Sequence, residues 1–189
     1  DSSVTFHWTP APTDTFLINR YELTLTRPGG AVTVQEITGL TWNTRANWIG
    51  NATLSIKSKD ILGNTSLLGY SSIIEKNRPL APNAIIPTNF KIIGSQVYLD
   101  WSDVVKVTNG LPIGGYEIRR NNTNWGIIDS DFVAKSAVSN CVLKNITSGN
   151  NTWYINTFDT DNNYAVSGIV AQLTVVPPDI VTNLNKEFN

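Results

Sequence analysis

Apolar and polar residues alternate with a period of two in several short stretches bounded by Gly, Pro, Asn or Asp. In Val4-Thr5-Phe6-His7-Trp8 the residues Val4, Phe6 and Trp8 share one face, with Thr5 and His7 on the other. Val97-Tyr98-Leu99-Asp100-Trp101 repeats the pattern, placing Val97, Leu99 and Trp101 inward. Successive side chains of a strand point to opposite faces, so this alternation predicts half-buried strands. No stretch keeps a helical period over three turns, and turn residues interrupt the chain throughout. Short strands with closely spaced turns predict an all-β fold of antiparallel sandwiches.

The pattern also repeats at long range. Val4–Trp8 is echoed by Val97–Trp101, Tyr21-Glu22-Leu23-Thr24-Leu25 by Tyr116-Glu117-Ile118-Arg119-Arg120, and Leu54–Asp60 by Trp153–Asp159. The offsets are 93, 95 and 99 residues, drifting as a loop lengthens. In the third echo Leu54, Ile56 and Ser58 match Trp153, Ile155 and Thr157 on the inward face. Three ordered echoes predict two copies of one module, residues 1–78 and 79–178. Arg78-Pro79-Leu80-Ala81-Pro82 closes the first copy and Val176-Pro177-Pro178 the second, since prolines cannot donate to a ladder and stiffen a linker. A similar entry follows each closure, Pro87-Thr88-Asn89-Phe90 and Val181-Thr182-Asn183-Leu184. Residues 179–189 therefore read as a linker or the start of a third copy. The first copy lacks the entry strand expected between Asn89 and Gly94 of the second. Residues 1–189 are thus expected to be a window on a longer array.

Trp8 and Trp101 end a second strand, Tyr21 and Tyr116 open a third, and Ser58 and Thr157 are small inward residues before an Asp-containing turn. In these positions the chain resembles the fibronectin type III family. The resemblance implies two tandem immunoglobulin-like antiparallel β-sandwiches, and its motifs are packing motifs that carry no function of their own. One departure is that the family's early Tyr of the sixth strand, which pins the preceding corner, is replaced by Ala52 and Asn151. The corner must be held otherwise, with Trp48 the candidate in copy one. A narrower resemblance rests on Tyr116-Glu117-Ile118-Arg119-Arg120, on Trp125, and on Trp153 through Ala165 with its ending Asp159-Thr160-Asp161-Asn162-Asn163-Tyr164. Copy one keeps a related ending, Asp60-Ile61-Leu62-Gly63-Asn64-Thr65-Ser66. These stretches are similar to the fibronectin type III repeats of tail-tip and host-specificity proteins of tailed bacteriophages.

Composition narrows the function classes. Hydrophobic residues make up 41% of the chain, enough for packed cores. Fourteen Lys and Arg against fifteen Asp and Glu leave no basic stripe for nucleic acid and no polybasic patch for a membrane surface. No apolar run approaches membrane-spanning length. The polar surface comes instead from Asn, Thr and Ser, as in Asn121-Asn122-Thr123-Asn124.

Candidate chemistry is sparse. His7 is the sole histidine and lies on the outward face of its strand, so no nucleophile–His pair and no tetrahedral zinc set can be assembled. Cys141, the sole cysteine, matches Trp42 of copy one and reads as an inert packing thiol. Asp159, Asp161 and Asn163 have the odd-position oxygens of a calcium loop, but Tyr164 and Val170 stand where such a loop needs Gly and Glu. The Asp-Asn turn reading is preferred. Asp100 with Asp103 and Asp129 with Asp131 are read as solvated turns rather than a glycosidase pair. Trp125 is expected to fold back over a sheet edge, the alternative being contact with a sugar or partner. Asn-x-Ser/Thr sequons occur at Asn51, Asn64, Asn121, Asn145 and Asn150.

The expectation is therefore a non-enzyme with no catalytic, cofactor or metal site. The narrower resemblance implies a structural and interaction segment of a phage tail tip or fibre, located in the virion tail. Its partners would be proteins of a larger, homotrimeric assembly and a protein or glycan of the host surface. The alternatives are a tandem spacer in a bacterial secreted enzyme or surface adhesin, and a carbohydrate-binding module using Trp125.

Overall fold

The computed structural model describes residues 2–10, 18–82, 91–144 and 146–176. The entry residues 87–90, the sequon at Asn145, the prolines at 177 and 178 and the segment 179–189 lie outside the described residues. Among the described residues there are strands and no helix. The first copy contributes β1 (Ser3–His7), β2 (Ile18–Thr26), β3 (Val32–Ile37), β4 (Thr41–Arg45), β5 (Gly50–Asp60) and β6 (Tyr70–Lys76). The second contributes β7 (Lys91–Ile93), β8 (Gln96–Asp100), β9 (Ile113–Arg120), β10 (Phe132–Ser136), β11 (Asn140–Leu143), β12 (Gly149–Asp159) and β13 (Ile169–Val175).

In the first copy one sheet runs β3-β2-β5-β6 and the other is the pair β1-β4. In the second the order is β10-β9-β12-β13, with β11-β8-β7 as the other sheet. All of these ladders are antiparallel. Leu23 and Leu25 of β2 and Leu54 of β5 share one core with Trp42 of β4, and Val4 and Phe6 of β1 pack against it. Side chains from two sheets meeting in one core make a sandwich. The second copy does the same with Val97 and Leu99 of β8, Ile118 of β9, Leu143 of β11 and Trp153 and Ile155 of β12. Each fully buried Leu or Ile of these cores stabilises its sandwich by about 1.5–3 kcal/mol. A one-residue slip in any ladder would turn these side chains to solvent, so the core fixes the register.

The strands match one to one between copies, from β1 with β8 to β6 with β13, and β7 is the added member. It falls where the entry strand was expected. Closely approaching backbone repeats as well. A Cβ on Gly69 would stand 2.7 Å from the Ile56 carbonyl oxygen, and one on Gly168 2.5 Å from that of Ile155. Both positions exclude a side chain for the same reason. By compactness the chain divides into two units. The first is Asp1–Leu80 with Val105–Gly114 and Phe158–Ala165; the second is Ala81–Val104 with Gly115–Thr157 and Val166–Asn189.

Candidate functional site

Several of the polar groups that carry candidate chemistry are engaged by the chain itself. In the turn after β12 the Asp159 carboxylate is buried. Its Oδ1 accepts from the backbone N–H groups of Asp161 and Asn163, both at 2.9 Å, and Oδ2 accepts from Asn163 Nδ2 at 2.9 Å. Copy one repeats the device after β5. Asp60 Oδ1 accepts from the N–H of Leu62 at 2.9 Å and of Asn64 at 2.8 Å, and Oδ2 from Asn64 Nδ2 at 2.8 Å. The Asn64 side-chain amide, with its N–H, holds the Asp60 carboxyl below its ordinary range. Both turns need one residue in the left-handed region, supplied by Gly63 (φ 91°) and by Asn162 (φ 59°). Asn tolerates that conformation better than other side-chain-bearing residues. Among the described residues no three His, Cys, Asp or Glu side chains come together to hold a metal ion.

The other singled-out residues are also placed. His7 is exposed on β1. Cys141 on β11 pairs with Leu99 and packs against the second core, and burial, then the Asp100 charge, pushes its thiol up to about 12. A thiol so rarely ionised is a poor nucleophile. Asp100 ends β8, and Asp103 lies beside Tyr116, whose hydroxyl accepts from the Val104 N–H at 2.9 Å. Asp131 accepts from Asn121 Nδ2 and Asn122 Nδ2 at 3.0 and 2.6 Å. Trp125 is half-buried, close enough to Gly168 that a Cβ there would come within 3.3 Å of its ring. The sequons at Asn51, Asn64, Asn121 and Asn150 are exposed.

Two polar features carry no signal in the period-two pattern. Glu117 and Arg119, adjacent on one face of β9, are both fully buried, with Arg119 Nη1 3.0 Å from Glu117 Oε1. The connection after β9 folds over them. Its Gly126 N–H donates to the Glu117 carboxylate, its Ile127 carbonyl and Asn122 side chain accept from Arg119, and Asp129 forms a second ion pair with Arg119. Within the first compact unit, Asp161 Oδ2 accepts from the Ser2 hydroxyl at 2.7 Å, the Ser2 N–H at 3.2 Å and the Lys76 ammonium at 3.0 Å. These donors, the Ser2 hydroxyl foremost, hold the Asp161 carboxyl well below the usual carboxylate range.

Among the described residues the strand β1 pairs with β4 alone. A groove of about 450 Å³ is lined by Phe6, His7, Trp8, Leu54, Ile56, Tyr70 and Ser72 among others. Tyr70 is 72% exposed there, which is unusual for an aromatic on an inward strand position.

No protein-family model matches the chain, and no curated protein matches it in sequence. Among solved structures it is similar to a two-domain fibronectin type III segment from chicken tenascin. The identity is 15%, the TM-score 0.41, and 92% of each chain is covered. It is also similar to the FN1–FN3 domains of chicken CNTN1, at 14% identity and TM-score 0.39, covering 92% of this chain and 60% of that one. The fold itself is all-β, two tandem immunoglobulin-like, fibronectin type III-like antiparallel sandwiches, as the strand orders and the two cores already establish.

Proposed function

We propose that the chain is a non-catalytic structural and interaction segment of a bacteriophage tail-tip or tail-fibre protein. It spaces or decorates a larger protein assembly near the host-facing end. The observation that carries the reading is what the two copies have in common. The Trp–Tyr packing, the Asp–Asn turn and the close-approach glycine recur in both. Each of these is a device for folding a module. Repetition of scaffold without repetition of a reactive group fits a segment that holds other parts in place.

The tail assignment is supported by the sequence resemblance of Tyr116–Arg120, Trp125 and Trp153–Ala165 to phage tail repeats. On this reading the partners are the neighbouring chains of a homotrimeric tip or fibre and a host-surface protein or glycan. An antibody raised against the chain should decorate the distal end of the tail in negatively stained virions of the source phage. The coding sequence on either side should encode tail-hub or fibre domains. A hydrolase domain or a cell-wall anchor in that flanking sequence would overturn the reading in favour of a bacterial spacer.

A further inference from the structure

The two copies differ at one inward position of a matched strand. Leu25, in the inward row of β2, is fully buried in the first core. Its counterpart at the end of β9 is Arg120, which follows Tyr116 and Ile118, both buried in the second core. The half-buried Arg120 guanidinium stacks over the ring of buried Trp153, 5.7 Å from its centroid. A cation beside a core carries a desolvation cost that a leucine does not. The second sandwich thus places a charge where the first packs an apolar side chain.

That charge lines a groove of about 310 Å³ between β10 and β11, the sheet edges opposite β13 and β7. The groove wall includes apolar Phe132, Ala134 and Val142, and its polar groups are Arg120, Ser130 and Lys144. The two kinds lie at opposite ends. The Ser136 hydroxyl bonds to the Val138 and Asn140 carbonyls in the turn that joins β10 to β11. Counting outward from that turn, Ala134 and Val142 come first, then Phe132 and Lys144, then Ser130. The Arg120 N–H donates to the Asp131 carbonyl at 2.7 Å, which sets Arg120 level with the Ser130 end. Among the described residues no carboxylate lines the groove. The acids of β9 and the connection after it are engaged elsewhere, Glu117 and Asp129 on Arg119, and Asp131 on the amides of Asn121 and Asn122.

Two cations at one end of an apolar wall complement a molecule with an anionic head and an apolar body. Arginine presents its donors in a planar fork that matches both oxygens of a carboxylate. The volume lies at the low end for small-molecule sites, which suits a body the size of a capped amino acid. We propose that this groove binds a small carboxylic acid with an aliphatic body. Arg120 and Lys144 hold the carboxylate, and the body lies along Phe132, Ala134 and Val142. The polar groups are too few for the hydroxyls of an acidic sugar, which would lose water without finding partners. The inference goes beyond the role in an assembly and holds whatever that assembly is.

The probe is N-acetyl-leucine, titrated into the whole chain labelled for NMR. Saturable shifts should appear at the amides of Ser130, Phe132, Ala134 and Val142 and at the Arg120 Nε–H. N-acetyl-leucinamide keeps the body without the charge, and glucuronate keeps the charge without the apolar body. Each should bind about tenfold more weakly or worse. Arg120→Gln should weaken N-acetyl-leucine binding about tenfold. Lys144→Gln alters an exposed side chain, leaves the core signals in place and should weaken binding about threefold. No saturable shift, equal binding of the amide, tighter binding of glucuronate, or undiminished affinity in Lys144→Gln overturns the proposal. Should Arg120→Gln unfold the second sandwich, the amide comparison and Lys144→Gln decide it.

Discussion

The indole of Trp101 meets the ring of Tyr116 edge-on, with centroids 5.2 Å apart and planes at 75°. Trp8 and Tyr21 make the same contact in the first sandwich, at 5.5 Å and 72°. The edge-to-face arrangement sets the positive rim of one ring against the negative face of the other. In both copies it ties the strand that carries the Trp to the opposite sheet. The surroundings differ, because Trp101 is 1% exposed and Trp8 is half-buried beside the open groove. Trp101→Ala should therefore cost about 3–5 kcal/mol of the second sandwich's stability and Trp8→Ala roughly 1–3 kcal/mol of the first's. Urea unfolding of each variant, followed by NMR signals assigned to each sandwich, checks this; equal costs would contradict the argument from burial.

The Glu117–Arg119 pair is the most fully buried ionic group among the described residues. Both charges left water on folding, and each is compensated by the other and by the connection that covers them. Removing one partner leaves the other buried with too few partners. Arg119→Ala is expected to destabilise by about 3–5 kcal/mol, and the double variant Glu117→Leu with Arg119→Met by clearly less than either charge removal alone. Denaturant midpoints for the two singles and the double complete the cycle. Additive losses would mean that the pair has no interaction of its own.

Much of this fold is legible in the sequence because a half-buried strand writes its burial as alternation. Val97, Leu99 and Trp101 lie on the expected face, and β7 forms at Lys91–Ile93, between Asn89 and Gly94 where an entry strand was expected. The Asp60 and Asp159 turns are legible too, since Asp and Asn at that spacing have few other uses. What alternation cannot reveal is a connection folding back over an outer face, so nothing in Glu117-Ile118-Arg119 marks its two charges as covered. The open groove was half legible. The Trp8 and Ile56 side of it lies on the expected inward face, but nothing in the sequence marks Tyr70 and Ser72 of β6 as exposed.

The corner before β12 depends on Asn151, where the resemblance left the corner without its expected Tyr. The buried carboxamide accepts from the Thr147 N–H at 3.3 Å and donates to the carbonyls of Thr147 at 2.8 Å and Gly149 at 3.1 Å. In copy one the matching Ala52 has no such group, and buried Trp48 fills the corner with Arg27 stacked 5.8 Å from its ring. Asn151→Ala should cost about 1–3 kcal/mol, because it removes a buried carboxamide together with its hydrogen bonds to Thr147 and Gly149. Asn151→Asp should cost at least as much at neutral pH, since a carboxylate cannot donate to them. Thermal melts of both variants test the assignment, and a silent Asn151→Ala would reject it.

Asp161 gives the first compact unit a dependence on acid. Its carboxyl is held below the usual range by the Ser2 hydroxyl and N–H and by the Lys76 ammonium, all on one oxygen. A depressed folded-state pKa means that the unfolded chain binds the proton first. The stabilisation is therefore fully present above the unfolded value, about pH 4 for an aspartate, and is lost as pH falls below it toward the folded value. Asp60 and Glu36 are shifted in the same direction, Asp60 by Asn64 and Glu36 by Lys59 and Arg20, and add to the same slope. Between pH 5 and pH 2 the melting temperature should fall, and Asp161→Asn should flatten that fall while lowering the melting temperature at pH 7. The variant keeps the side chain's shape but gives Lys76 and Ser2 a neutral acceptor. Added salt should weaken the Lys76 contribution more than that of the Ser2 hydrogen bonds, because screening acts on the charge pair. Parallel pH profiles for the parent chain and Asp161→Asn would remove this carboxylate from the account.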